Sequence, residues 1–145
     1  MSIFPAHAAI NRLTPFAHVP DVDRAIAFYT LLGFTIRGDL RDHTGKAFWA
    51  CVESGNAHLM LAQADGPVAP EDQAVLFYLY TRDVAAIRTH LLANGISDGG
   101  DYCGAPIPAE GCACVFKITK PMYMPEGEVR VHDPDGYCLL IGQDD

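Results

Sequence analysis

Basic residues are scarce in this chain: 10 Lys and Arg stand against 18 Asp and Glu, and the formal net charge is -8 at pH 7. A nucleic-acid partner requires clustered Lys and Arg that displace counterions from phosphates, so this balance argues against one. It disfavours an anionic membrane surface for the same reason. A cationic small molecule would be attracted to such a protein, although the charge alone does not require one.

Long apolar runs and paired cysteine motifs are also missing. The first residues, MSIFPAHAAINRL, have no positive charge ahead of their apolar residues, so we expect neither a secretory signal nor a membrane span and predict a cytoplasmic protein. The 5 cysteines lack CxxC spacing, which disfavours a disulfide framework or a zinc finger and favours buried free thiols. No Ser-His-Asp arrangement or phosphate-binding glycine loop is recognisable.

The stretch TPFAHVPDVDRAIAFYTLLGF, residues 14–34, predicts a strand, a turn and a complete helix. Asp21 is placed to cap the free N–H groups at the start of the helix, and Gly33 supplies the left-handed residue that ends it. The apolar residues between them recur at steps of three and four and predict one buried helical face, formed by Val22, Ala25, Ile26, Tyr29 and Leu32.

The same frame returns later in the chain. Asp83 and Gly95 repeat the spacing of Asp21 and Gly33, which favours a duplicated strand-helix unit over two similar helices that arose by chance. We therefore predict one domain over residues 1–145, with module one at about 12–63, a Pro-rich and acidic linker at 64–73, and module two at about 74–143.

Each module is predicted to continue as a series of strands joined by turns. The predicted strands are 13–19, 34–40, 46–53, 58–63, 74–80, 112–119, 128–132 and 137–141, and the second helix spans Asp83 to Asn94. Asp133 to Gly136, DPDG, is a tight turn in which proline presets φ and glycine supplies the positive φ. Ser97 to Gly111 is glycine-rich and predicts a loop with a poor strand in it.

These residues resemble the glyoxalase, bleomycin-resistance and extradiol-dioxygenase superfamily, also called the vicinal oxygen chelate fold. The most specific pieces are Phe28-Tyr29 followed by Leu32-Gly33-Phe34, and the DPDG turn. The resemblance implies an α+β fold of two βαβββ modules that form a curled, cup-shaped mixed sheet with the helices outside. It also implies a homodimer that completes or flanks the cavities.

Enzymes of this superfamily hold a divalent metal at four places that match, by register, Thr14, Met60, Leu76 and Leu140 of this chain. Three apolar side chains and one hydroxyl cannot supply the nitrogen, oxygen or thiolate donors that such a cation needs. We therefore predict that the metal site of the family is empty here and that the protein uses no cofactor. This departure is similar to the bleomycin-resistance branch, which lacks the metal and sequesters its ligand.

The cavity lining is predicted from strand alternation, since residues of equal parity share a face with the four metal places. Trp49 joins them only if its hairpin has the right register, and Glu128 is either a buried acid near the ligand or an exposed partner of Arg130. The full set of cavity candidates is Phe16, His18, Trp49, His58, Met60, Leu76, Tyr78, Tyr80, Glu128 and Leu140. Ordinary core packing is the alternative for each.

The leading hypothesis is a metal-independent protein that binds an aromatic or cationic small molecule in an apolar, aromatic cavity, without making or breaking bonds. The competing hypothesis is a metal-dependent lyase, isomerase or dioxygenase whose metal is held by displaced ligands such as His18, His58 and Glu128. A third possibility is that the protein's own side chains fill the cavity and that it acts through its surface.

Overall fold

The structure is a computed structural model that describes residues 3–69, 72, 74–104 and 111–144. After a short 3-10 helix at Ala6–Ala8, the strands are β1 Phe16–Val19, β2 Thr35–Arg41, β3 Ala47–Ser54, β4 Ala57–Gln63, β5 Leu76–Thr81, β6 Ser97–Gly100, β7 Cys114–Phe116, β8 Glu128–His132 and β9 Cys138–Gln143. The α-helices are α1 Val22–Leu31 and α2 Val84–Ala93. Across the described ranges, neither helix is long and apolar enough to cross a membrane.

The two helices are built in the same way, as the repeat predicts. The Asp21 carboxylate accepts a hydrogen bond from the backbone N–H of Arg24, and the Asp83 carboxylate accepts one from Ala86. Each bond satisfies one of the donors that a helix start leaves free. The glycines beyond the helix ends have φ values of 94° and 87°, which only glycine adopts at little cost.

The predicted apolar face of α1 is buried. Val22, Ala25, Ile26, Tyr29 and Leu32 all belong to the hydrophobic core, together with Phe28. Fully burying one large apolar side chain contributes roughly 1.5 to 3 kcal/mol, so this face anchors the helix against the strands of its module.

The strands form two mixed sheets that do not close into a barrel. One sheet has the order β1-β4-β3-β2 and the other has the order β5-β9-β8-β7-β6. Phe16 pairs with Met60 in β1 and β4, and Tyr78 pairs with Leu140 in β5 and β9, both in parallel register. The predicted α+β class with two repeated modules is therefore confirmed, with Met60 and Leu140 at equivalent places.

Module two differs from module one at its far edge. Ser97–Gly100 pairs in parallel with Cys114–Phe116, so the predicted glycine-rich loop begins with a strand. The predicted strand 112–119 is shorter, because only three of its residues form β7, and Thr119 makes an isolated bridge to Glu128. Parts of the predicted linker (70, 71 and 73) and of the predicted loop (105–110) lie outside the described residues.

The modules meet where the DPDG turn of module two packs on helix α1. The Tyr29 hydroxyl donates to Asp133 Oδ2 at 2.7 Å, and the Arg24 guanidinium donates to Asp135. The other Asp133 oxygen accepts the backbone N–H groups of Asp135 and Tyr137, which fixes the turn. Burial raises the pKa of Asp133 to about 6, against the opposing effect of these hydrogen bonds.

The cysteines are free, but not all are buried as predicted. Cys51 and Cys114 are buried and Cys138 is half-buried, whereas Cys103 and Cys112 are exposed. The two exposed thiols lie in the irregular stretch between β6 and β7.

Candidate functional site

In module one, the register places the predicted residues on one face of the sheet. Met60 lies between Phe16 of β1 and Cys51 of β3, and Trp49 pairs with Ala62 two positions further along. Because alternate residues share a face, Phe16, His18, Trp49, His58 and Met60 all lie opposite the side that packs on α1. The register of the β3 hairpin, which was open from the sequence, thus places Trp49 with the predicted set.

A bulge in the same hairpin explains the position of Phe48. Arg41 pairs with Ala47 but Leu40 pairs with Trp49, so Phe48 is an additional residue between them. Its side chain is exposed.

Module two shows the same alternation. Tyr80 pairs with Gly142, which pairs with Glu128 on β8, so the three residues form a row across three strands. Leu76, Tyr78 and Leu140 share this face, and the Tyr78 and Tyr80 rings lie 5.2 Å apart. Every predicted residue of module two therefore lies on one face of its sheet.

A cavity of about 710 Å³ lies between the modules. It is located at the first residues of β1, β4 and β5 and the turns before them. The described residues that line it are Leu13, Pro15, Phe16, Tyr29, Phe34, Asn56, Ala57, His58, Leu59, Ala74, Val75, Leu76, Phe77, Tyr78, Leu79, Tyr137 and Leu139. The wall is mainly apolar and aromatic.

The cavity receives only part of the predicted set. Phe16, His58, Leu76 and Tyr78 line it. The remaining candidates are on the same sheet faces but do not line this cavity; they are His18, Trp49, Met60, Tyr80, Glu128 and Leu140. Alternation determines which face a side chain occupies, whereas the cavity is defined by position along the strand. The contact of these six residues with a ligand stays a prediction.

Several cavity residues from the core side were not predicted to line it, among them Tyr29, Phe34, Leu59, Tyr137 and Leu139. Tyr137 stacks on Phe77 at 5.6 Å, and its hydroxyl donates to the backbone oxygen of His18. The available signal was the aromatic residue directly after the DPDG turn, since a side chain there points back toward the first module.

His58 is held in a polar cluster at the edge of the cavity. Arg37 Nη1 lies 3.2 Å from His58 Nδ1, and Glu53 lies 3.8 Å from His58 Nε2. Arg37 also lies 3.9 Å from the Glu53 carboxylate. The three side chains therefore place two basic groups and one acid beside an otherwise apolar wall.

Glu128 is buried, whereas the sequence had left open whether it is a buried acid or an exposed partner of Arg130. Its side chain accepts hydrogen bonds from the Tyr78 hydroxyl at 2.7 Å and the Tyr123 hydroxyl at 3.1 Å. Burial, together with this bond, raises the pKa of Tyr78, and the bond to Glu128 raises that of Tyr123. Arg130 instead lies over the Tyr102 ring at 3.9 Å and donates to Cys138 Sγ.

His132, directly before the DPDG turn, is buried among aromatic rings. His132 is 4% exposed, and its Nδ1 atom has no hydrogen-bond partner among the described residues. The ring packs edge-on against Phe116 and Tyr102. Burial lowers the pKa of His132, and the positive charge of Arg130 adds to this effect.

The residues at the family's metal places do not suit a divalent cation. Met60 and Leu140 occupy equivalent places by register, which supports the assignment of Met60, and neither offers a nitrogen, carboxylate or thiolate donor. Thr14 and Leu76 add one hydroxyl and one aliphatic chain. Within the described part of the chain, no group of three or more His, Cys, Asp or Glu side chains is placed to hold a metal ion.

Comparisons with known proteins agree with this architecture. The sequence profile of the Glyoxalase/Bleomycin resistance protein/Dioxygenase superfamily matches residues 9–140. A comparison with curated protein sequences gives no match.

Several solved structures share the fold at low sequence identity. The bleomycin resistance determinant encoded on transposon Tn5 has a TM-score of 0.69 at 22% identity, with 94% of this chain and 99% of that chain covered. A bleomycin-binding protein from Streptomyces verticillus in complex with copper(II)-bleomycin has a TM-score of 0.68 at 17% identity, covering 95% and 99%. An antibiotic-binding protein from Streptomyces sp. CB03234 has a TM-score of 0.59 at 22% identity, covering 95% and 98%.

Proposed function

Because the chain belongs to the glyoxalase/bleomycin resistance protein/dioxygenase superfamily, we propose that it binds and sequesters a small molecule without a metal ion. The cavity between the modules carries this proposal. Its volume of about 710 Å³ lies within the range of roughly 300 to 1,000 Å³ that is usual for small-molecule sites. Burial of an apolar or aromatic ligand against this wall would provide the affinity.

The likeness to binding proteins supports sequestration over catalysis. Two of the similar structures are described as bleomycin-binding or bleomycin-resistance proteins and one as antibiotic-binding. Metal-dependent chemistry is disfavoured on separate grounds, since the places used by the family's enzymes hold Thr14, Met60, Leu76 and Leu140.

We propose further that residues 1–145 act as one domain and that the protein is a cytoplasmic homodimer. Contacts of Tyr29 with Asp133 support a single unit, since they tie the modules together. Apolar side chains that remain exposed on the sheet faces support a dimer: Phe16 is 50% exposed and Leu76 is 47% exposed beside the cavity. A second copy would remove such surface from water.

Binding is tested by thermal unfolding with a panel of naphthalene and quinoline derivatives. A ligand at about a hundred times its dissociation constant stabilises the folded protein by roughly 3 kcal/mol, which raises Tm by several degrees. The Ala74→Trp variant, which places a large ring at the cavity wall, should weaken this shift. The Ala85→Trp variant places the same side chain on the exposed side of α2, so it should keep the shift. Equal shifts in both variants would place binding elsewhere.

Metal independence is tested by elemental analysis of protein purified without a chelator. We expect far less than one Fe, Mn, Ni or Zn per chain, and ligand-induced stabilisation that is unchanged by EDTA. A stoichiometric metal whose removal abolishes binding would contradict the proposal in favour of the enzyme hypothesis.

A further inference from the structure

The cavity offers hydrogen-bond donors at one edge and no acid along its wall. Asn56 and His58 contribute polar side chains, and none of the described residues that line the cavity is Asp or Glu. The nearby Glu53 carboxylate is paired with Arg37, and Glu128 is engaged by two phenols. A cation that entered the cavity would lose its hydration without gaining a counter-charge.

The hydroxyl protons of the three tyrosines that line the cavity are already donated to acceptors within the protein. Tyr29 donates to Asp133, Tyr78 donates to Glu128, and Tyr137 donates to the His18 carbonyl. Each hydroxyl has only one proton to donate. Among the described side chains that line the cavity, Asn56 and His58 are therefore the ones left to donate to an acceptor group of a ligand.

Arg37 decides which nitrogen of His58 is free to donate. Its Nη1 atom lies 3.2 Å from His58 Nδ1, and a guanidinium has donors only. Nδ1 must therefore accept, and the proton of the neutral imidazole is on Nε2. The nearest acid, Glu53, is 3.8 Å from Nε2, beyond hydrogen-bond distance. Among the described residues, the Nε2–H group therefore has no hydrogen-bond partner, and His58 is one of the residues that line the cavity.

We infer that the ligand is an apolar or aromatic molecule with a hydrogen-bond acceptor, such as a carbonyl or a carboxylate, which His58 Nε2–H recognises. This inference rests on the binding function proposed above and names its ligand class. Arg37 and Glu53 both lie beside His58 and offset each other's charge, so this contact requires a hydrogen-bond acceptor and not a net negative charge. Organic cations, which the acidic composition left as an option, are selected against because an ammonium offers no acceptor to Nε2–H and meets no acid among the described lining residues.

The inference is tested by calorimetric titration with three probes of one shape: naphthamide, naphthoate and naphthylmethylammonium. At about pH 8 we expect the amide and the carboxylate to bind about three- to tenfold more tightly than the ammonium. The three probes bury the same rings, so this ratio isolates the polar contact.

Variants at His58 test whether this residue makes the hydrogen bond to the probe. His58→Leu removes the donor and should equalise the affinities of naphthamide and the ammonium probe, whereas His58→Gln keeps an amide donor and should retain part of the preference. Arg37→Lys, which still donates to Nδ1, should preserve it. His43→Leu, an exposed substitution in the β2–β3 turn, serves as the matched control and should leave the ratio unchanged. Thermal unfolding of each variant confirms that it is folded.

The outcomes separate this inference from the proposed function. If no probe binds wild-type protein, the proposed function and this inference are both wrong. If all three bind but the ammonium is equal or tighter, or if His58→Leu leaves the ratio intact, binding stands and the assigned ligand class is wrong.

Discussion

Tyr29 shows what can be predicted for a single residue. Helical spacing predicted its burial, and the structure confirms this. Its partner was beyond reach, because Asp133 is 104 positions away and periodicity describes only neighbours along one element. The sequence also did not reveal that Tyr29 lines the cavity. Helical periodicity shows only that a side chain faces the protein interior, and here the buried face of α1 is also part of the cavity wall.

The buried carboxyl group of Asp133 should make stability depend on pH. Burial raises its pKa from 3.8 to about 6, so the folded protein holds this proton more strongly than the unfolded chain. This contribution is therefore present below pH 4 and is lost as the pH rises toward 6. Asp133→Asn keeps an acceptor for the two turn N–H groups but does not titrate.

Urea unfolding of both proteins at several pH values from 4 to 7 measures the effect. The free energy of unfolding of wild type should fall relative to Asp133→Asn by about 2 to 3 kcal/mol across this range. A constant difference between the two proteins would contradict the proposed titration.

The Phe116 ring lies so close to Gly99 that there is no room for a side chain at this position. A Cβ atom at Gly99 would lie 2.5 Å from Cε1 of the buried Phe116 ring. Because that ring is packed between Tyr102 and His132, Gly99→Ala should destabilise the protein by about 1 to 3 kcal/mol. Gly66→Ala is the control, since its Cβ would meet no atom within 4 Å. If the Gly99→Ala and Gly66→Ala variants unfold at the same urea concentration, the Phe116 ring can move aside without cost and the prediction is wrong.

At the scale of elements, predictions were accurate where a cap and a glycine bound a periodic run. Both helices begin directly after the predicted aspartates, and β8 has the predicted bounds. The prediction was poorer for β6 and β7. Ser97–Gly100 has neither β-branched nor aromatic residues, so its strand depends on pairing with Cys114–Phe116, which local sequence does not reveal.

The two helix caps should contribute similarly to stability. Asp21→Ala and Asp83→Ala each remove the acceptor for one backbone N–H, at Arg24 and Ala86 respectively. We expect each change to lower the free energy of unfolding by about 1 kcal/mol, and Asp→Ser at the same positions to restore most of it. Chemical denaturation gives both values, and a serine variant no better than alanine would exclude a capping role.

At the scale of the whole molecule, the repeat allowed the two-module fold to be predicted, while the place of the cavity could not be. The cavity lies where the starts of β1, β4 and β5 converge, and that convergence depends on how the two sheets meet. Residues such as Phe16 and Leu76 were found because they begin their strands, whereas Tyr80 and Leu140 lie further along the same faces.

The proposed dimer has a direct test. Sedimentation equilibrium should give twice the chain mass of 15.7 kDa at micromolar concentration. Association should cover the exposed apolar side chains beside the cavity. The backbone amides of β1 and β5 should then exchange more slowly as the protein concentration rises, which hydrogen exchange measures. A mass of 15.7 kDa at all concentrations would exclude the homodimer.

The bond between Tyr29 and Asp133 also has a consequence for synthesis of the chain. The ribosome makes roughly 5 to 20 residues per second, and the partners are 104 residues apart, so helix α1 emerges about 5 to 20 s before its acceptor exists. During that interval the first module exposes the surface that later receives the DPDG turn. Native docking of the modules therefore waits until Asp133 has been synthesised, and a ribosome stalled before Asp133 would display the first module with its docking surface exposed to solvent.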